Sequence, residues 1–109
     1  MRIIQLLIIT LGINLVSIDL SYADYEAGES KSQVCAACHG SEGNSQVTIY
    51  PKLAGQYKDY LINSLNAYKS GSRKNAIMSG FATGLSDQDI EDLSEYFSRQ
   101  DGLKVLPMK

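Results

Sequence analysis

Both cysteines of this 109-residue chain and its only histidine fall within five consecutive positions, Cys35 to His39, in the stretch VCAACHG. That clustering constrains the fold more than anything else in the sequence. A chain this short allows one domain, and a domain of this size buries only about 60–65% of the surface its unfolded chain exposes, so its core is marginal without reinforcement. A disulfide between Cys35 and Cys38 would close too short a loop to staple the fold, because the entropy removed from the unfolded chain grows with the size of the loop. The reinforcement has to be something that these three side chains hold.

C-x-x-C-H is the spacing that attaches c-type haem. Two thiols one helical turn apart can add to the two vinyl groups along one porphyrin edge, and the next residue is carried under the ring so that its imidazole meets the iron. A thioredoxin-like dithiol would want a βαβ setting, and no strand pattern occurs here. A structural zinc site would need a fourth ligand beyond Cys35, Cys38 and His39, and the chain has no second histidine and no third cysteine. A chance cluster is disfavoured because free thiols in an exported protein are reactive liabilities. The motif predicts one covalent heme c, and the macrocycle supplies the core area that the polypeptide lacks.

Export is read from the first residues, MRIIQLLIITLGINLVSIDLSYA. Arg2 gives a positive start, Ile3 to Ile18 an apolar run, and Ser21-Tyr22-Ala23 a small-x-small cleavage site, so residues 1–23 are expected to be a secretory signal peptide and 24–109 the working domain. Gln5, Thr10, Asn14 and Asp19 interrupt the apolar run, which argues against a retained membrane anchor. Cleavage removes Arg2 and Asp19 together, leaving the formal net charge at −2. That balance argues against nucleic acid as a partner, which calls for a clustered basic surface.

Three helices are expected, with no strand between them. The first runs from about Glu26 to Cys38. The second lies in QYKDYLINSLNAYKSG, where Tyr57, Tyr60, Leu61, Leu65 and Tyr68 recur at helical spacing before Gly71. The third lies in LSDQDIEDLSEYFSRQDG, with Ser86 as N-cap, Asp87, Asp89 and Glu91 in the first turns, and Ile90, Leu93 and Phe97 as an apolar stripe with Tyr96 beside it. The segments GSEGNSQVTIYPKLAG and SGSRKNAIMSGFATG read as long irregular loops, and long loops in a small domain usually wrap a bound group.

A second axial ligand has to come from another residue type. The expected mature chain offers Met78 and Met108. Met108 is the penultimate residue of a tail, where chain ends fray. Met78 lies in the apparent loop NAIMSGFATG between Gly80 and Gly84, which suit a backbone bent over a flat group, and it is the ligand chosen here. An ordinary core methionine, ligation by Lys69, Lys74 or Tyr68, and an open site remain the alternatives.

VCAACHG, YPKLAGQY, a lone methionine in a loop and LSDQDIEDLSEYFS together resemble class I cytochrome c, over Asp24 to about Leu103. The likeness is greatest to bacterial haem domains of the c-four type, which that family carries in tandem and this chain carries once. If two haems are needed, the second would come from dimerisation or a partner. The resemblance implies a small all-α fold of three main helices and long loops around one haem. It implies that the Pro51 carbonyl meets the free ring nitrogen of His39, a contact that fixes imidazole orientation. It also implies that Leu53 packs on the porphyrin, that Gly28 and Tyr96 meet where first and last helices cross, and that Arg73, Lys74 and Asn75 lie near a propionate.

An iron held by imidazole and thioether has no vacant position, which favours one-electron transfer over oxygen chemistry, and thioether ligation raises the potential. The expected function is a carrier, not an enzyme. By resemblance it works in a bacterial periplasm, with a membrane quinol-oxidising complex as donor and a terminal oxidase or reductase as acceptor, as a monomer or weak dimer not inserted in the membrane. The alternatives are a haem-bearing relay subunit of a larger oxidoreductase, and a haem enzyme or gas sensor. Encounters between redox proteins use small interfaces, below about 1,200 Å².

Overall fold

Five helices and the irregular segments between them make up residues 22–104 and 106, the part of the chain that the computed structural model describes, and no strand occurs among those residues. The helices are α1 (Tyr25–Lys31), α2 (Gln33–His39), α3 (Lys58–Ser70), α4 (Ala76–Ala82) and α5 (Asp87–Ser98). Most of the expected leader and Met108 lie outside the described residues.

Helix α5 organises the rest. Ser86 accepts from the Asp89 amide at 3.0 Å and the Asp89 carboxylate accepts from the Ser86 amide at 2.9 Å, a reciprocal capping box. The Ser86 amide, together with Lys31, holds the Asp89 carboxyl at about 2. The apolar stripe expected from the sequence is buried, and Leu93, Tyr96 and Phe97 join Leu61 of α3 in the core cluster. Tyr25, Cys35, Leu53 and Leu85 pack against that cluster from its edges, so Cys35 and Leu53 are rooted in the core.

Helix α1 crosses α5 at Gly28, which is buried. A Cβ there would fall on the Asp92 carbonyl, 2.7 Å from its carbon and 2.9 Å from Tyr96 Cβ, so only glycine allows this approach. Gly28→Ala is therefore expected to force the helices apart at a cost of about 2–3 kcal/mol. Thermal unfolding of the haem-loaded protein should show this as a fall of roughly 10–20 °C, and an unchanged midpoint would show that the crossing is not as close as described.

Beside that crossing, the buried Asp92 accepts from Lys31 Nζ at 2.6 Å, from Gln88 Nε2 at 2.8 Å and from the Asp24 amide at 2.8 Å. Burial alone would push its carboxyl up, but these donors outweigh it and hold it below the ordinary range.

Three expectations are corrected. The single first helix is two seven-residue helices broken at Ser32, whose hydroxyl donates to the Glu29 carbonyl at 2.7 Å and diverts the ladder there. Tyr60, placed on the apolar face of the second helix, is exposed, while Leu61 is the residue of α3 that is buried. The segment holding Met78, expected as a loop, is helix α4. Asn75 caps α4 by accepting from the Met78 amide at 3.0 Å, and Ala82 is buried at its other end. Capping and packing of Ala82 outweigh the low helix propensity of Gly80. Neither Gly80 nor Gly84 has a positive φ, so the argument for a backbone bent by those glycines does not hold.

Candidate haem-attachment site

Helix α2 places its side chains by simple periodicity. Cys35 and Cys38 stand three residues apart, on one side of the helix, and both are free thiols, half-buried. Burial, reinforced by the neighbouring Cys38, pushes the Cys35 thiol up and keeps it protonated at neutral pH. His39 closes the helix and is 7% exposed. Gly40, at φ +84°, then turns the chain away, a conformation that side-chain-bearing residues rarely adopt.

The imidazole is oriented by the next segment. His39 Nδ1 lies 2.8 Å from the Pro51 carbonyl oxygen. A carbonyl only accepts, so Nδ1 carries the proton and donates, and Nε2 keeps the free lone pair. Proline suits this place because it fixes φ and brings no N–H of its own to compete for the geometry. The Tyr50 ring sits 6.5 Å from the imidazole, centroid to centroid.

What holds Pro51 there is Gly43, a residue with no motif to mark it. Its carbonyl accepts from the Leu53 amide at 2.8 Å and the Ala54 amide at 3.1 Å, closing the loop that presents Pro51. Gly43 has φ +81°, and a Cβ on it would meet Phe97 Cδ1 at 2.8 Å and the Ala54 nitrogen at 2.9 Å. Beyond its place beside the apolar stripe and at the helix crossing, Tyr96 donates its hydroxyl to the Ser41 carbonyl at 3.1 Å and ties α5 to the residues just beyond His39. A glycine flanked by polar residues in a loop was the available sign for Gly43. The reach of a tyrosine hydroxyl across the fold left none in the sequence.

Met78 is half-buried on α4, a helix that packs on α3 and on no other described helix. It shares a helix face with Ala82, four residues on, while Ile77 and Phe81 are exposed on the adjoining face. Two of the other sequence candidates, Lys69 and Tyr68, have other attachments, and Lys74 is exposed. Lys69 pairs with Asp87 at 3.7 Å, and Tyr68 lies under the Arg73 guanidinium at 4.7 Å. Arg73 also reaches Ser64 Oγ, and Asn75 serves as the α4 cap. Leu53 is half-buried against the core cluster.

The donor set fits an iron porphyrin: two free thiols on one helix side, an imidazole whose Nδ1 is taken by the Pro51 carbonyl, and a thioether on a separate element. Large exposed apolar side chains lie on those same segments, with Val34 beside Cys35, Val47 and Ile49 ahead of Pro51, and Ile77 and Phe81 around Met78. An all-α chain with these groups is a c-type haem protein by class.

Comparison with known proteins agrees. The model of the Cytochrome c family matches residues 25–100, and the chain belongs to that family. It is 44% identical over 94 residues to a cytochrome c4 of Pseudomonas aeruginosa, covering 86% of this chain and 46% of that protein. It is 47% identical over 81 residues to cytochrome c-554(548) of Halomonas halodenitrificans, covering 72% of this chain and 98% of that protein. The crystal structure of reduced cytochrome c4 from Pseudomonas stutzeri superposes with a TM-score of 0.70 at 47% identity, covering 74% of this chain and 47% of that one. The chain thus spans about half the length of the cytochrome c4 relatives it matches. Family membership carries with it a covalently bound c-type haem, which the C-x-x-C-H of Cys35, Cys38 and His39 fits.

Proposed function

We propose that this chain is a periplasmic one-electron carrier in which residues 1–23 direct export and 24–109 form the haem domain. When bound, the haem supplies a single ferric/ferrous couple. Cys35 and Cys38 would anchor it by thioether bonds, and His39 Nε2 and the Met78 sulfur would hold its iron. Pro51 orients and polarises the imidazole through Nδ1, and Leu53 adds an apolar wall rooted in the core.

The observation that carries this reading is the 2.8 Å contact between His39 Nδ1 and the Pro51 oxygen, which commits Nε2 to the metal side and keeps the ring from turning. With His39 and Met78 both given to the iron, no protein-free position would be left for oxygen chemistry, and outer-sphere electron transfer is what the group would supply. Donor and acceptor are a membrane quinol-oxidising complex and a terminal oxidase or reductase, met in brief encounters by a monomer or weak dimer.

Adding carbon monoxide to the reduced, haem-loaded protein at neutral pH tests this. The visible spectrum should stay unchanged over minutes, and prompt formation of a carbon monoxide spectrum would replace the carrier with a haem enzyme or gas sensor.

A further inference from the structure

We propose that the peptide bond between Ala23 and Asp24 is a processing site whose product completes the fold: hydrolysis there converts the Asp24 amide nitrogen into an α-ammonium that pairs with the buried carboxylate of Asp92. The proposal rests on the export reading above. The step consumes one water and is catalysed by a leader-cleaving peptidase of the export machinery. The C–N bond of Ala23–Asp24 breaks, Ala23 leaves with the new carboxylate, and the Asp24 nitrogen takes up a proton to become an ammonium at neutral pH.

The α1–α5 crossing is short of positive charge. Asp92 is 2% exposed, and a buried carboxylate needs a cation as well as hydrogen bonds. Its cation is Lys31, at 2.6 Å, but Lys31 also serves Asp89 at 2.9 Å. Two carboxylates therefore share one ammonium. The Asp24 carboxylate, which caps α1 through the Ala27 amide at 3.1 Å, and Glu26 in the first turn of α1 add negative charge nearby. Lys58 and Arg99 pair with Glu91 and Glu95 of α5 instead.

The Asp24 nitrogen already stands 2.8 Å from Asp92 Oδ1, so converting it to an ammonium supplies the missing cation without moving the chain. Cleavage gives up little in return. Tyr22 is 75% exposed, and its carbonyl accepts one hydrogen bond, from Gln88 Nε2 at 3.0 Å. Gln88 keeps its 2.8 Å bond to Asp92 afterwards.

An α-amino group has an unfolded pKa of about 8, and a carboxylate partner raises it in the folded state. The pair therefore stabilises the protein fully below about pH 8, and the contribution disappears as pH rises through the folded value, between roughly pH 8 and 10. The titratable and charged groups around the amine are Asp92, Asp89 and Glu95 of α5 and Arg99 at its C-cap, together with Lys31, Glu26 and Tyr25 of α1, the Asp24 carboxylate and Tyr22.

The test uses three haem-loaded proteins purified from periplasm: the natural chain, one whose leader junction leaves a single extra alanine ahead of Asp24, and Asp92→Asn. Intact mass should place the natural start at Asp24. From pH 7 to pH 10 the natural protein should lose at least about 4 °C more in melting temperature than either of the other two. A start elsewhere would overturn the export reading and this proposal with it. A start at Asp24 with the same pH dependence in the alanine-extended protein would overturn the pairing alone.

Discussion

Cells exporting the Cys35→Ser, Cys38→Ser double variant should accumulate no pigment that resists acid-acetone extraction, and the polypeptide should show no cooperative unfolding transition at 25 °C. The reasoning is energetic. The buried apolar residues among those described are Ala54, Leu61, Ala82, Ile90, Leu93, Tyr96 and Phe97, and two of these seven are alanines. A domain this small has a total stability on the order of 5 kcal/mol or little more, and the thioether-linked macrocycle is the largest apolar component added to it. Both serines also place a hydroxyl where a half-buried thiol stood, and Cys35 borders the core cluster. Circular dichroism and a denaturant titration on the purified variant would read the loss. A variant that still melted cooperatively without pigment would show that the polypeptide core suffices by itself.

Met78→Ala should leave the pigment covalently attached and change what it does. The weak red band that a sulfur ligand gives the oxidised protein should vanish, and the reduced protein should take up carbon monoxide that the parent resists. The potential should drop by on the order of a hundred millivolts or more, given that axial ligands set haem potentials over a range of about 0.8 V. Stability should suffer less than in the cysteine variant, because Met78 is half-buried on a helix whose buried anchor is Ala82. Spectra, carbon monoxide titration and a potentiometric titration of one preparation would measure all of this. Persistence of the red band would pass the ligand role to another residue.

Much of this molecule was legible because its signals are local. Ser86 and Asp89 announce the start of α5 within four residues, Gly71 announces the end of α3 and does adopt the left-handed conformation, and C-x-x-C-H carries its chemistry in five residues. The misreadings share a cause, which is that tertiary contacts decided the matter. NAIMSGFATG looks like a loop by its glycines, yet an Asn75 cap and a buried Ala82 make it helical. Helix α5 ends at Ser98, four residues before Gly102. A Cβ on Gly102 would lie 2.5 Å from Ala54 Cβ, so the glycine is there to let the tail lie against that loop. The loop closure by Gly43 rests on backbone bonds that leave no residue-type signal, and the Tyr96 bond to Ser41 spans a separation that no sequence window contains.

The helices are unequally anchored. Helix α5 is gripped by both α1 and α3, whereas α4 leans on α3 alone. His39 is held from outside its own helix, by the Pro51 carbonyl and by Cys35 lodged against the core cluster, whereas Met78 rides on α4 and shares in its single support. Substitutions on the outer face of α4, at Ile77 or Phe81, can adjust the surroundings of the thioether while leaving the α1–α5 clasp untouched. Under the ligation proposed for Met78, one scaffold can in this way carry redox centres of different driving force.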